Sequence, residues 1–250
     1  AAPEFFRTPG YPAFLALVFL IFHTFAAVPF IQILFTACAV ALIYLIGVRY
    51  FSPKVGIVAA ILYMLDPLVM YAALTLISES LFMLLFLTGV YAMGMRPHRE
   101  WLPYFAAGAL FGLAIYARPI ALYLAPFIAC MALAEMKSWH RALQNAAIFL
   151  AAIMLIISPW IIRNYTISGH AAFSSISTYN VLFWDVPLFE QVRTGIPYRE
   201  VQKTIYERLG SSDNRALRSF TYNAQENTIL REMLFAHPVE YASFHLLKSG

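Results

Sequence analysis

The chain has 250 residues, of which 61% are hydrophobic and 12% charged, with a net charge of +4 and a mean hydropathy of +0.69. A soluble domain carries about 25% charged residues, so the composition excludes an ordinary soluble globule and points to an integral membrane protein. The positive balance is modest and unclustered, which argues against a nucleic-acid partner and fits loop cations at a membrane surface.

Polarity is distributed unevenly. Thirteen charged residues lie in Ala1–Ile162 and seventeen in Arg163–Gly250, a stretch about half as long. Arg163 is therefore read as the main boundary. The expected fold is all-α: a turn with an interfacial or re-entrant helix over 1–29, a polytopic transmembrane helix bundle of about six spans over 30–162, and an extracytoplasmic, partly helical segment over 163–250. The chain opens without Met and ends in mid-pattern, so both ends are expected to be cut from a longer protein. Cys38 and Cys130 lie in apolar runs and read as small packing residues.

In chain order, Pro9, Gly10 and Pro12 impose a turn, because proline fixes φ and glycine relaxes it. Ala13–Val28 is apolar but short, interrupted by His23 and closed by Pro29. Spans are expected at Phe30–Val48, Val55–Leu76, Ser80–Met95, Trp101–Ala117, Ile120–Ala134 and Ala142–Ile162. Asp66-Pro67 predicts a kink and a new helix start inside the second. In the polar segment, helices are predicted over Tyr198–Leu209, with Pro197 at its first position and Gly210 capping it, over Asn214–Ala236, and over Val239–Lys248.

The loops at 49–54, 96–100 and 135–141 hold six Lys/Arg, whereas the opposite short loops hold only Arg118. The positive-inside rule puts the first set in the cytoplasm. By alternation Glu4–Pro12, Glu79, Arg118 and everything after Arg163 share the extracytoplasmic face.

Candidate chemistry falls on that face. Glu79 stands at a seam between two apolar runs, where an ionisable group is costly and calls for an interface or a partner. It reads either as a site carboxylate or as a helix cap helped by Ser78 or Ser80. Arg7, beside the imposed turn, reads as a phosphate clamp or a snorkelling anchor. Arg118-Pro119 reads as a partner for a lipid-linked phosphate or as a simple interfacial anchor, and Arg163-Asn164 either binds a phosphate or a sugar hydroxyl or only marks the boundary. The six histidines show no metal-binding spacing.

The stretches Arg7-Thr-Pro-Gly-Tyr-Pro12, Leu76-Ile-Ser-Glu-Ser-Leu-Phe82, Gly112-Leu-Ala-Ile-Tyr-Ala-Arg-Pro119, Pro159-Trp-Ile-Ile-Arg-Asn-Tyr165 and His237-Pro-Val-Glu-Tyr241 occur in this order. Together they resemble polytopic glycosyltransferases of the GT-C superfamily, in the bacterial branch related to protein O-mannosyltransferases and lipid A aminoarabinose transferases. The resemblance implies sugar transfer from a polyprenyl-phosphate donor to a lipid, glycan or protein acceptor, at the extracytoplasmic face of the cell (inner) membrane. It implies Glu79 as a catalytic carboxylate that positions the acceptor, helps bind a divalent metal or holds an arginine. Arg7, Tyr11, Arg118, Arg163 and Asn164 are implied as substrate-binding residues. It also implies a further acid ahead of Arg7, expected upstream of Ala1, without which this stretch is inactive by itself. A transporter or lipid flippase using Glu79 and Asp66, or a noncatalytic membrane subunit, is the alternative.

Overall fold

The computed structural model describes residues 4–95, 101–134 and 138–247. The expected cytoplasmic loop 96–100, part of the loop at 135–141 and the readings made on the chain ends lie outside the described residues. Among the described residues the fold is all-α, without a strand. Cα packing divides the chain into two compact units, Thr8–Ile162 and Ala1–Arg7 with Arg163–Gly250.

In the apolar unit, prolines, polar caps and one strained residue punctuate the helices. Helix α1 is Gly10–Phe22 and stops where His23 adopts a left-handed φ of 53°. A 3-10 turn over Phe25–Ala27 leads into α2, Val28–Tyr50, with Pro29 in its first turn. Helix α3, Pro53–Leu65, is capped by Ser52, whose hydroxyl accepts from Val55 N at 3.3 Å. Asp66 is held extended by the following proline, and its Oδ1 accepts from Leu68 N at 2.8 Å. That contact starts α4, Pro67–Leu74, at 58° to α3, so the predicted kink and cap at Asp66-Pro67 are present.

Helices α5, Glu79–Met93, and α6, Leu102–Ala117, follow. They pack on each other, and α5 also packs on α2. The first-turn side of α1 approaches α6. Helix α7 is Ala121–Ala134 and α8 is Trp139–Ser168. Buried Phe111, Ile115, Phe149 and Ile157 fill the core between α6 and α8.

Among the described residues, Phe25–Tyr50 and Trp139–Ser168 are long and apolar enough to cross a membrane, and the bent α3–α4 pair makes at most a third. The other apolar helices are shorter. Helix α8 also runs beyond its expected end at Ile162, because its stop signal is Gly169, whose φ of 75° ends the helix.

The polar unit is built from short helices. Helix α9, Ile176–Asn180, continues through a π turn over Val181–Asp185 into α10, Val186–Thr194, which Gly195 terminates at φ 78°. Helix α11 is Tyr198–Leu209, closed by Gly210 at φ 66° as the sequence predicts. Pro197 precedes it as the N-cap, with ψ 140°, and is not its first helical residue. The helix expected over Asn214–Ala236 is broken into α12, Asn214–Leu217, α13, Asn223–Leu230, and a π turn over Arg231–Phe235. At the break the Ser219 hydroxyl contacts the Ala216 carbonyl and the Thr221 hydroxyl, both at 2.6 Å, a local alternative to helical bonding. Helix α14 is Pro238–Leu247. Leu182, Phe183, Val186, Ile205 and Ile229 form this unit's core.

Candidate active site

Glu79 is the first residue of α5, where a carboxylate is favoured by the positive end of the helix dipole. Ser78 makes no side-chain cap at this end. The Glu79 carboxylate does not cap the helix either: its Oε1 accepts from Arg118 Nη1 in an ion pair. The Glu79 side chain is 36% exposed and that of Arg118 39%, so the pair adds little to stability. Glu79 Oε2 is buried with no hydrogen-bond partner among the described residues. A buried lone acceptor of this kind calls for an explanation.

Arg118 reaches the pair because Pro119 ends α6. The residue before a proline is driven out of the helical region, and Arg118 has φ −145° and ψ 116°. Its guanidinium therefore leaves from the very end of the helix.

The first-loop element is built into the same unit through Gly10 and Tyr11. A Cβ at Gly10 would lie 2.5 Å from the carbonyl carbon and oxygen of Tyr116 and 2.7 Å from Ala117 N. Only a glycine permits that approach, so the start of α1 rests on the turn of α6 just before Arg118. The Tyr11 hydroxyl donates to Gln32 Oε1 at 2.9 Å. Gln32 is fully buried, and its Nε2 faces the carbonyls of Ala72, Ala73 and Thr75. Tyr11 was expected to bind substrate; its hydroxyl is engaged inside the bundle. Sequence reasoning passed over Gln32, and the available signal was an amide inside an apolar run.

In the other unit, Arg7 is exposed and its guanidinium has no hydrogen-bond or ionic partner among the described residues. Its backbone N–H and that of Phe6 both donate to Glu4 Oε1, at 3.1 and 3.0 Å, so Glu4 is spent on the local turn. Arg163 Nη1 donates to Glu4 O at 2.9 Å and to Asn164 Oδ1 at 2.8 Å, and its guanidinium lies 5.4 Å from the Phe5 ring centroid. Asn164 is fully buried, and its Nδ2 donates to Ala172 O and Phe173 O. The expected ligand groups at Arg163 and Asn164 thus tie the segment 4–7 and the loop after α8 into their own unit. Among the described residues no three His, Cys, Asp or Glu converge as metal ligands.

Residues 6–162 match the family described as dolichyl-phosphate-mannose-protein mannosyltransferase. The chain belongs to the dolichyl-phosphate-mannose-protein mannosyltransferase family. No curated protein and no solved structure matches it. As a member of this mannosyltransferase family, with two long apolar helices in an all-α fold, the chain is a membrane glycosyltransferase of GT-C type. Mannosyltransferase-family membership sets aside the transporter reading. The match covers Gly10, Gln32, Glu79 and Arg118 together.

Proposed function

We propose that this glycosyltransferase transfers a sugar from a polyprenyl-phosphate-linked donor to a lipid, glycan or protein acceptor on the extracytoplasmic face of the cell membrane. The observation that carries this reading is the Glu79–Arg118 pair, a carboxylate and a guanidinium joined at the ends of two packed apolar helices. The family's name, which speaks of a dolichyl-phosphate sugar, supports the donor class. The Lys/Arg bias of the loops supports the side.

In such a transfer the acceptor's nucleophilic atom bonds to the anomeric carbon. The bond from that carbon to the phosphate oxygen breaks, and the lipid phosphate leaves with the electron pair. The acceptor's proton passes to a base. Glu79 Oε2, with no partner of its own, is the acceptor atom this unit offers for that proton or for an acceptor hydroxyl. The Arg118 fork faces the same carboxylate and is proposed as the cation that meets the leaving phosphate. Arg7, with its guanidinium uncommitted among the described residues, is proposed as a phosphate-binding residue of its own unit. Arg163 and Asn164 are proposed as organisers of the segment that carries Arg7, since their polar atoms are engaged within that unit.

The full-length protein, reconstituted in liposomes, is to be offered a panel of polyprenyl-phosphate sugars while release of polyprenyl phosphate is followed. One donor is expected to turn over, and Glu79→Gln is expected to abolish turnover with membrane insertion intact. Normal turnover in Glu79→Gln removes Glu79 from the site, and no release from any donor overturns the donor class.

A further inference from the structure

We propose that Gln32 is a positioning residue that sets Glu79 against Arg118, with Tyr11 fixing its amide. The inference rests on the reading of Glu79 as a site carboxylate.

The last carbonyls of an α-helix have no partner within the helix. For α4 these include Ala72 and Ala73, both buried, where water cannot replace the missing donor. Gln32 supplies it from α2. Its Nε2 lies 3.0 Å from Ala72 O, 3.4 Å from Ala73 O and 2.6 Å from Thr75 O. Carbonyl oxygens only accept, so the amide nitrogen must face them and the amide oxygen must face away. That oxygen takes the Tyr11 hydroxyl at 2.9 Å. The two N–H donors are shared among three carbonyls on one side and the oxygen accepts on the other, so the side chain has one orientation.

The consequence lies a few residues on. The chain from Thr75 to Glu79 is too short to wander if Thr75 is fixed. One turn along α2 from Gln32, the Thr36 hydroxyl donates to Gln32 O at 2.9 Å and reaches the Ser80 hydroxyl at 3.4 Å. Ser80 is buried and follows Glu79 directly. Glu79 is therefore held from α2 on both flanks, through Thr75 before it and Ser80 after it. Tyr11 stands next to Gly10, which rests on the turn before Arg118. The first turn of α1 thus bears on both halves of the ion pair, on Arg118 through the backbone of Tyr116 and Ala117 just before it and on Glu79 through Gln32. A glutamine serving only to fill space would need neither the three carbonyls nor the tyrosine.

The test uses the full-length protein and the variants Gln32→Met, which keeps length and removes every polar contact, and Tyr11→Phe, which removes one. Hydrogen exchange of the amides between Thr75 and Ser80 needs no donor. Gln32→Met is expected to speed it at least tenfold, and Tyr11→Phe about threefold, with α6 and α8 unchanged. With polyprenyl-phosphate mannose as the probe, kcat is expected to fall at least tenfold in Gln32→Met while KM stays within twofold. A structural role alone would lower the amount of folded enzyme and spread faster exchange over the whole unit. Unchanged exchange in the 75–80 turn, or exchange that rises everywhere alike, overturns the inference. If Gln32→Met does not fold, Tyr11→Phe carries the same comparison. Full turnover in Gln32→Met beside an inactive Glu79→Gln sinks the positioning role alone, whereas full turnover in Glu79→Gln sinks the reading beneath it.

Discussion

Gly10 touches the backbone of Tyr116 so closely that a β-carbon on Gly10 would sit 2.5 Å from the Tyr116 carbonyl carbon and oxygen. The neighbour is backbone in a helix and cannot swing aside. Gly10→Ala is therefore expected to push α1 off α6, at a cost of about 1–3 kcal/mol. Thermal unfolding of the detergent-solubilised protein reads it as a drop of several degrees. Gly169 has nothing within 4 Å of its would-be β-carbon and needs only a positive φ. Gly169→Asn, a residue that tolerates this conformation, is expected to leave the melting temperature within about a degree.

Arg118→Lys keeps the charge but loses the planar fork. The half-exposed pair contributes little to folding, so the melting temperature should barely move. Turnover is expected to fall about tenfold or more, because an ammonium cannot hold Glu79 and engage a phosphate in one plane. A large loss of stability with unchanged turnover per folded molecule would contradict this division.

The proposed membrane sidedness rests on the bias of the loop cations. With Cys38 and Cys130 replaced by serine, single cysteines at the exposed positions Ser138 and Ser212 are expected to react with a membrane-impermeant maleimide from opposite faces. Labelling from one face would reverse the placement of the polar unit and with it the proposed side of transfer.

Glu226 gives the polar unit a pH dependence. Its side chain is buried, 3% of the residue being exposed, and Oε1 has no partner among the described residues. Burial pushes its carboxyl up to about 7. A carboxyl raised in the folded state binds its proton more tightly there than in the unfolded chain, so the folded state gains at acid pH and loses as pH rises through about 7. With the intrinsic base-catalysed rise in exchange divided out, the protection of the α13 amides is expected to fall between about pH 5 and about pH 7, corresponding to a loss on the order of 2 kcal/mol. Glu226→Gln, neutral at every pH, should flatten the profile. A profile that stays steep in the glutamine variant would assign the dependence to another group.

The legible parts of the fold were those set by residues that act alone. Pro67 and Asp66 fix the kink and the start of α4, and Gly210 fixes the end of α11, because one side chain or its absence decides the local backbone. The break at residues 218–222 involves no proline or glycine; it depends on Ser219 choosing local partners, which the apolar pattern cannot report. Helix α10 was not foreseen, since its register comes from packing Val186 and Phe189 into the polar unit's core. At the site, charge made Glu79 and Arg118 visible. Gln32 is neutral and sits among apolar residues, and its meaning lies in carbonyls some forty residues away along the chain. Asn164 was visible as a polar residue, but its bonds to the Ala172 and Phe173 carbonyls depend on how the loop after α8 folds back, which the apolar pattern does not report.

The short helices that carry the ion pair have a consequence for the lipid around them. Helix α5 has 15 residues and α6 has 16, about 23 Å of rise each, against a hydrocarbon core of about 30 Å. Helix α2, with 23 residues, matches the full core. It is anchored near one end by the Gln32 amide and near the other by the close backbone approach of Gly47 to Gly56 in α3. Both anchors are to the same unit, so α2 cannot tilt by itself to relieve the difference. Thinning of the bilayer beside α5 and α6 is the expected relief. On the proposed function, headgroups drawn inward there would bring the phosphate of a long-chain carrier lipid to the depth of Glu79 and Arg118 while its tail stays in the leaflet.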